Sequence, residues 1–170
     1  MNHFMRVVSL MFFAVLFLGA CSAQRGNTGP SLAAWKGAVK GQWTLNSINQ
    51  ENFPSGASVK NIFDEAPMEC FIGSQWNLTA SGKGSITFTE SGTLCSPGVV
   101  REIFWSLNKD EITNYVGLQF KKILPGDKAR DVTTGYHLDL ESAGEGRMTV
   151  RMPLDVGGAN PGYLVFNFAR

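Results

Sequence analysis

Histidine and cysteine are scarce in this chain, with two of the former and three of the latter in 170 residues. His3 stands among the first residues, which leaves His137. His137 alternates with Leu138 and reads as a solvated surface residue. Acid–base chemistry needs a positioned partner for its histidine, and the sequence marks none. The chain also lacks a Gly-x-Ser-x-Gly elbow, a phosphate-binding glycine loop and a metal-binding helix pair. Neither an enzyme nor a cofactor is therefore expected. Charge is sparse too: Asp, Glu, Lys and Arg make up 17%, and the formal net charge is +1. Without a basic stripe there is no electrostatic footprint for nucleic acid. Asp64, Glu65 and Glu69 cluster, but not at the spacing of a calcium loop, and read as a solvated segment. What the chain does have is apolar and aromatic residues, at 44% and 11%, which favours a packed core over disorder.

Only one long apolar run exists, Val7 to Leu18, interrupted by Ser9. His3 and Arg6 precede it, and the small residues Gly19 and Ala20 follow. That is the layout of a secretory signal peptide over residues 1–20. The run is short for a membrane span, which takes about 20 apolar residues and so disfavours an uncleaved anchor. Leu18-Gly19-Ala20-Cys21 resembles the lipobox of bacterial lipoproteins. The resemblance implies that the Cys21 thiol takes a diacylglyceryl group, that the leader is cut before Cys21, and that the new amine is acylated, as by palmitate. A thiolate suits the thioether step because it is a strong nucleophile. Several acyl chains exceed the one-chain limit of marginal membrane binding. The expected location is the bacterial cell envelope, lipid-anchored at the outer membrane and facing the periplasm. Contact with the membrane is expected through the anchor alone, since loss of Arg6 takes Lys+Arg from 15 to 14, level with the 14 Asp+Glu.

Lipid on Cys21 would leave Cys70 and Cys95 as one pair. An exported chain meets an oxidising compartment, so a disulfide is expected, with two buried free thiols as the alternative. A metal site is disfavoured because no local histidine or second cysteine pair accompanies them.

The remaining 150 or so residues suit one domain. Ser22 to Pro30 is rich in turn-formers and reads as a flexible tether. Ser31 is placed to cap a short helical turn, Leu32 to Lys36, carrying Trp35. Tether and turn together occupy residues 21–38, and the folded domain occupies 39–170.

From Lys40 onward the hydrophobic period is two. Eight segments show it. Trp43 and Leu45 share a face, as do Trp76 and Leu78, Ile86 and Phe88, and Ile103, Trp105 and Leu107. Further on come Ile112, Val116, Leu118 and Phe120, then Tyr136, Leu138 and Leu140, then Met148, Val150 and Met152, and last Leu164, Phe166 and Phe168. Turn signals separate them, notably Ser81–Gly84, Asn108–Asp110, Ala143–Gly146 and Gly157–Gly162. Short links pair neighbours antiparallel. The fold class is all-β. Eight strands close into a barrel just wide enough for side chains or one small ligand; periodicity alone leaves a two-sheet sandwich open. The one long irregular stretch is Gln50 to Met68, in which "VKNIFDEAP" is expected to form a helical turn stopped by Pro67.

"GQWTLNSI" resembles the Gly-x-Trp first strand of lipocalins. "ECFIGSQWNL", "GSITFTESGTLC" and "REIFWSL" in succession are similar to lipocalin-like lipoproteins of Bacteroidetes-type bacteria. The similarity runs from Gly41 to about Phe120 and rests on the order Trp43, Cys70, Gly73, Trp76, Cys95, Trp105. It implies a calycin-type, eight-stranded antiparallel barrel with a cup for a small hydrophobic molecule. In many lipocalins an arginine packs on the first-strand tryptophan, and Arg170 and Arg151 are the candidates here. The expected function is a membrane-anchored lipocalin-like lipoprotein that binds a small hydrophobic ligand. Candidate lining residues are Trp43, Trp76, Phe88, Trp105, Phe120, Tyr136 and Met148. The alternative is a filled barrel that binds other envelope proteins through its loops, as an inhibitor or assembly factor.

Overall fold

A computed structural model describes residues 29–110, 112–113, 115–157 and 160–170. Cys21 and the expected leader lie outside the described residues. Chain order gives helix α1 (Leu32–Val39), strand β1 (Gly41–Glu51) and a single helical turn α2 (Met68–Phe71). Then come β2 (Gln75–Leu78), β3 (Lys83–Thr87), β4 (Val100–Lys109), β5 (Val116–Ile123), β6 (Tyr136–Gly144), β7 (Arg147–Leu154) and β8 (Gly162–Ala169). Each strand pairs antiparallel with the next, and β8 returns to β1, so the sheet is a closed barrel rather than a sandwich. Closure leaves no strand edge to pair with another chain. The architecture is compatible with a calycin-like fold.

Alternation decides which side chains face inward. Trp43 and Leu45 of β1, Trp76 and Leu78 of β2, and Leu118 and Phe120 of β5 are buried, while their neighbours Thr44, Asn77 and Gln119 are exposed. Two bulges break strict pairing, one at Asn46 between Leu45 and Ser47, the other at Glu141 between Leu140 and Ser142. An extra residue bends and twists a strand, which helps a sheet curl closed.

One end of the barrel is shut by α1. The Ser31 hydroxyl accepts from the Ala34 amide at 3.2 Å and caps the helix as expected, though the helix runs on to Val39. The Trp43 indole donates to Val39 O at 2.6 Å, and the Trp105 indole to Thr79 O at 3.0 Å. Of the two candidate arginines, Arg170 is the one on Trp43, its guanidinium 4.1 Å from the ring centroid. It donates to Ala38 O at 2.8 Å and Lys40 O at 2.7 Å. Gly41 of the Gly-x-Trp motif permits this approach: its φ is +132°, and a Cβ would stand 3.2 Å from Arg170 Nη2. Arg151 instead lies on the Tyr163 ring at 4.0 Å and pairs with Glu51 and Glu141.

Two local expectations change. Ile112 does not begin the fifth strand, since β5 starts at Val116 and Ile112 is 92% exposed. Asp110 is the cause: its Oδ1 accepts from the Ile112 and Thr113 amides at 2.8 Å each, fixing a turn. Those bonds hold the Asp110 carboxyl below its usual range. Pro67 does not stop a helical turn; it precedes one, α2. The residues before it form a tight loop closed by Ile62 N donating to Ala66 O at 2.9 Å.

Candidate functional site

The end of the barrel opposite α1 carries the long connections, of which the first, between β1 and β2, enters the barrel. Its Phe63 is 4% exposed although it belongs to no strand. The ring lies 5.4 Å from Phe71, 6.2 Å from Trp76, 5.0 Å from Phe120, 5.1 Å from Tyr136 and 5.4 Å from Phe166, centroid to centroid. Four of these contacts are edge-to-face and that with Phe166 is stacked, within the spacing where aromatic pairs attract. Trp76 continues the cluster to Phe168 at 5.3 Å.

Polar groups hold the turn behind this ring. The Tyr136 hydroxyl donates to Phe63 O at 2.6 Å and lies 3.1 Å from Asp64 Oδ2. Burial, together with Asp64 and the negative charge of Glu65, pushes the Tyr136 phenol up to about 12. Glu65 Oε1 accepts from Arg101 at 2.8 Å, and Oε2 from Lys122 at 3.1 Å. Lys122 Nζ also donates to Asp64 O at 3.2 Å. Burial alone would raise the Glu65 carboxyl, but the hydrogen bonds and charges of Arg101 and Lys122 outweigh it and hold it below its usual range. Within the Asp64–Glu65–Glu69 cluster, Glu65 is thus matched by two cations. Among the described residues no group of three or more His, Cys, Asp or Glu side chains is placed to hold a metal.

A covalent tie supports the same loop. Cys70 and Cys95 form a disulfide with Cα atoms 5.2 Å apart, joining α2 to the β3–β4 connection. Phe71, next to Cys70, packs on Phe88 at 4.9 Å and on Phe63. Gly73 follows at φ +82°, where a Cβ would meet Thr89 Oγ1 at 2.9 Å, so the chain turns into β2 only with glycine there.

The seven candidate lining residues do not form one surface. Trp76, Phe120 and Tyr136 meet Phe63 in the centre, and Phe88 stands beyond them against Phe71. Trp43 and Trp105 bond to the backbone at the α1 end, and Met148, opposite Phe168 in the β7–β8 register, is fully enclosed. Phe63 and Phe71 belong to the central cluster and carry no mark in the strand pattern, whereas Phe166 joins it from the inward face of β8 and was not among the candidate lining residues. The signal available was Ile62-Phe63, an apolar pair inside an otherwise polar loop. His137 faces out, as expected, with Asp139 Oδ1 at 3.2 Å.

Two grooves lie on the outer wall. One, of about 690 Å³, runs beneath the β5–β6 connection past Phe104, Lys121, Arg130 and His137. The other, of about 790 Å³, lies between the residues preceding α1 and the outer faces of β6 and β7, with Trp35, Tyr115, Glu141 and Arg151 on its walls. The first is also bordered by Phe120 and Tyr136, which belong to the Phe63 cluster. No family model, no curated protein and no solved structure matches this chain.

Proposed function

We propose that this protein is a lipid-anchored, lipocalin-like carrier of the bacterial envelope, at the outer membrane and facing the periplasm, that takes a small hydrophobic ligand into its barrel. The anchor rests on Leu18-Gly19-Ala20-Cys21, the ligand on the barrel. The observation that carries the ligand reading is the way the mouth is closed. Phe63, on a turn of the first connection, stands in the barrel centre among the wall residues Trp76, Phe120 and Phe166. A wall residue cannot leave without breaking the sheet, whereas a loop turn is held by side-chain bonds and opens at far lower free energy. Apolar pockets with a few polar anchors at a barrel mouth are a common setting for small ligands.

A second reading has its own support. The aromatic side chains inside pack ring on ring, as they would in a barrel that is simply filled and presents its loops to another envelope protein. The two separate on one measurement. Native protein purified in mild detergent, extracted with organic solvent and analysed by mass spectrometry, should release one small apolar species in stoichiometric amount. If the extract is empty and the protein binds none of a panel of apolar probes, the loop-binding reading replaces the carrier.

A further inference from the structure

We infer that the turn Ile62–Ala66 is a built-in stand-in for the ligand, and that the ligand is an amphipathic carboxylate whose apolar body takes the place of the Phe63 ring and whose head takes the place of the Glu65 carboxylate. This rests on the carrier reading above and specifies its ligand class.

Three observations combine. The turn is strained: Phe63 and Asp64 have φ of 53° and 48°, a left-handed region unfavourable for a residue such as Phe. Its conformation is therefore imposed by the groups around it. Those groups form a complete amphipathic receptor. The body site is a cage of Phe71, Trp76, Phe120, Tyr136 and Phe166. The head site is Arg101 and Lys122, with both oxygens of Glu65 engaged. Body and head are two residues apart, so the matching ligand has about 7 Å or less of chain between its apolar group and its carboxylate, or a longer chain that continues past the ring position. The Tyr136 hydroxyl, now on Phe63 O, stands at the rim as a further donor.

The cations set the ligand's charge. With the turn in place the Arg101 and Lys122 side chains are 38% and 20% exposed, and if the turn swings out both lose Glu65. A neutral apolar ligand would fill the cage and leave both cations unmatched, an unfavourable outcome for partly desolvated charge. A carboxylate restores both bonds. Binding and turn release are then a competition between two occupants of one receptor, and the affinity is reduced by the fraction of time the turn is in.

The test uses the full-length protein in detergent, titrated calorimetrically with 4-phenylbutyrate and with 4-phenylbutanol, its neutral counterpart, against detergent blanks. Glu65→Gln should bind both ligands more tightly than wild type, with the acid at least tenfold ahead of the alcohol. Phe63→Ala should improve both ligands and keep the acid at least tenfold ahead. Adding Arg101→Gln and Lys122→Gln should erase that lead. Equal affinity for acid and alcohol in Glu65→Gln and Phe63→Ala would overturn the carboxylate assignment and leave the carrier standing. Wild-type affinity equal to that of both variants would overturn the stand-in role, again leaving the carrier. No binding of either ligand to natively folded Phe63→Ala would overturn the inference and the carrier together. Should Phe63→Ala fail to fold, the Glu65→Gln comparison decides, because that change keeps the buried ring.

Discussion

Arg170 and Trp43 stand face to face, guanidinium over indole at 4.1 Å, and so join the end of the last strand to the start of the first. The same guanidinium bonds two carbonyls, at Ala38 and Lys40, where α1 ends, while the indole bonds a third at Val39. Carbonyls at a helix C-terminus lack intrahelical donors, and a cation there satisfies them and complements the helix dipole. Closure of the barrel and closure of its floor thus share one residue.

Removing it should be felt. Arg170→Ala deletes a cation–π contact and two charge-assisted hydrogen bonds, so a loss of about 2–3 kcal/mol is expected. The urea midpoint should fall with an unchanged slope. Arg170→Lys should recover only part of the loss, because an ammonium can still donate to both carbonyls but cannot stack flat on the indole. A midpoint for Arg170→Ala within error of wild type would show that the floor does not depend on this residue.

The Cys70–Cys95 disulfide closes a loop with a sequence separation of 25. The chain-entropy relation gives it about 3.5 kcal/mol. Cys70→Ala/Cys95→Ala should lower the urea midpoint accordingly and loosen the first connection more than the strands. Amide exchange should therefore rise most over 62–74. Uniform loosening of all eight strands would mean that the bond braces the whole barrel instead of the mouth.

Acylation at Cys21 predicts a mature mass that begins at Cys21 and includes lipid. Cys21→Ser should shift the protein from the membrane fraction to the soluble fraction, or leave it unprocessed. An unchanged distribution with no lipid in the mass spectrum would remove the anchor from the proposal without touching the barrel.

The strands were legible because their signal is local. Trp43/Leu45, Trp76/Leu78 and Leu138/Leu140 alternate with polar neighbours, and every strand pairs with its neighbour in sequence. Ile112 misled for an equally local reason, since its apolar side chain fits the period and only the Asp110 side chain, by bonding two amides, takes the backbone out of the strand. The mouth was not legible. Phe63 sits in a polar stretch whose pattern suggests a helical turn, and what places it is remote. Arg101 reaches Glu65 across 36 residues, Lys122 across 57, and Tyr136 reaches Phe63 O across 73. The floor was half legible: Arg170 was one of two candidates, and only the closed register of β8 on β1 brings it over Trp43.

The turn carrying Phe63 should be held best at neutral pH and released at both extremes. Glu65 has a carboxyl below its ordinary 4.5, so its contribution is complete above that value and is lost as pH falls through the lower folded value. Tyr136 is raised from 10.0 to about 12, so its contribution is complete below pH 10 and fades between 10 and 12, where the unfolded or released phenol ionises first. The phenolate would also have no proton to give Phe63 O. Trp76, 6.2 Å from the Phe63 ring, is a natural reporter. In protein labelled with 5-fluorotryptophan, its fluorine resonance, assigned through Trp76→Phe, should hold steady from about pH 5 to 10 and move outside that range. Glu65→Gln should abolish the acid limb alone and Tyr136→Phe the alkaline limb alone. Because every other carboxyl and phenol stays in place in each variant, a limb that survives its own substitution must come from another group, and the latch assignment for that residue would then be wrong.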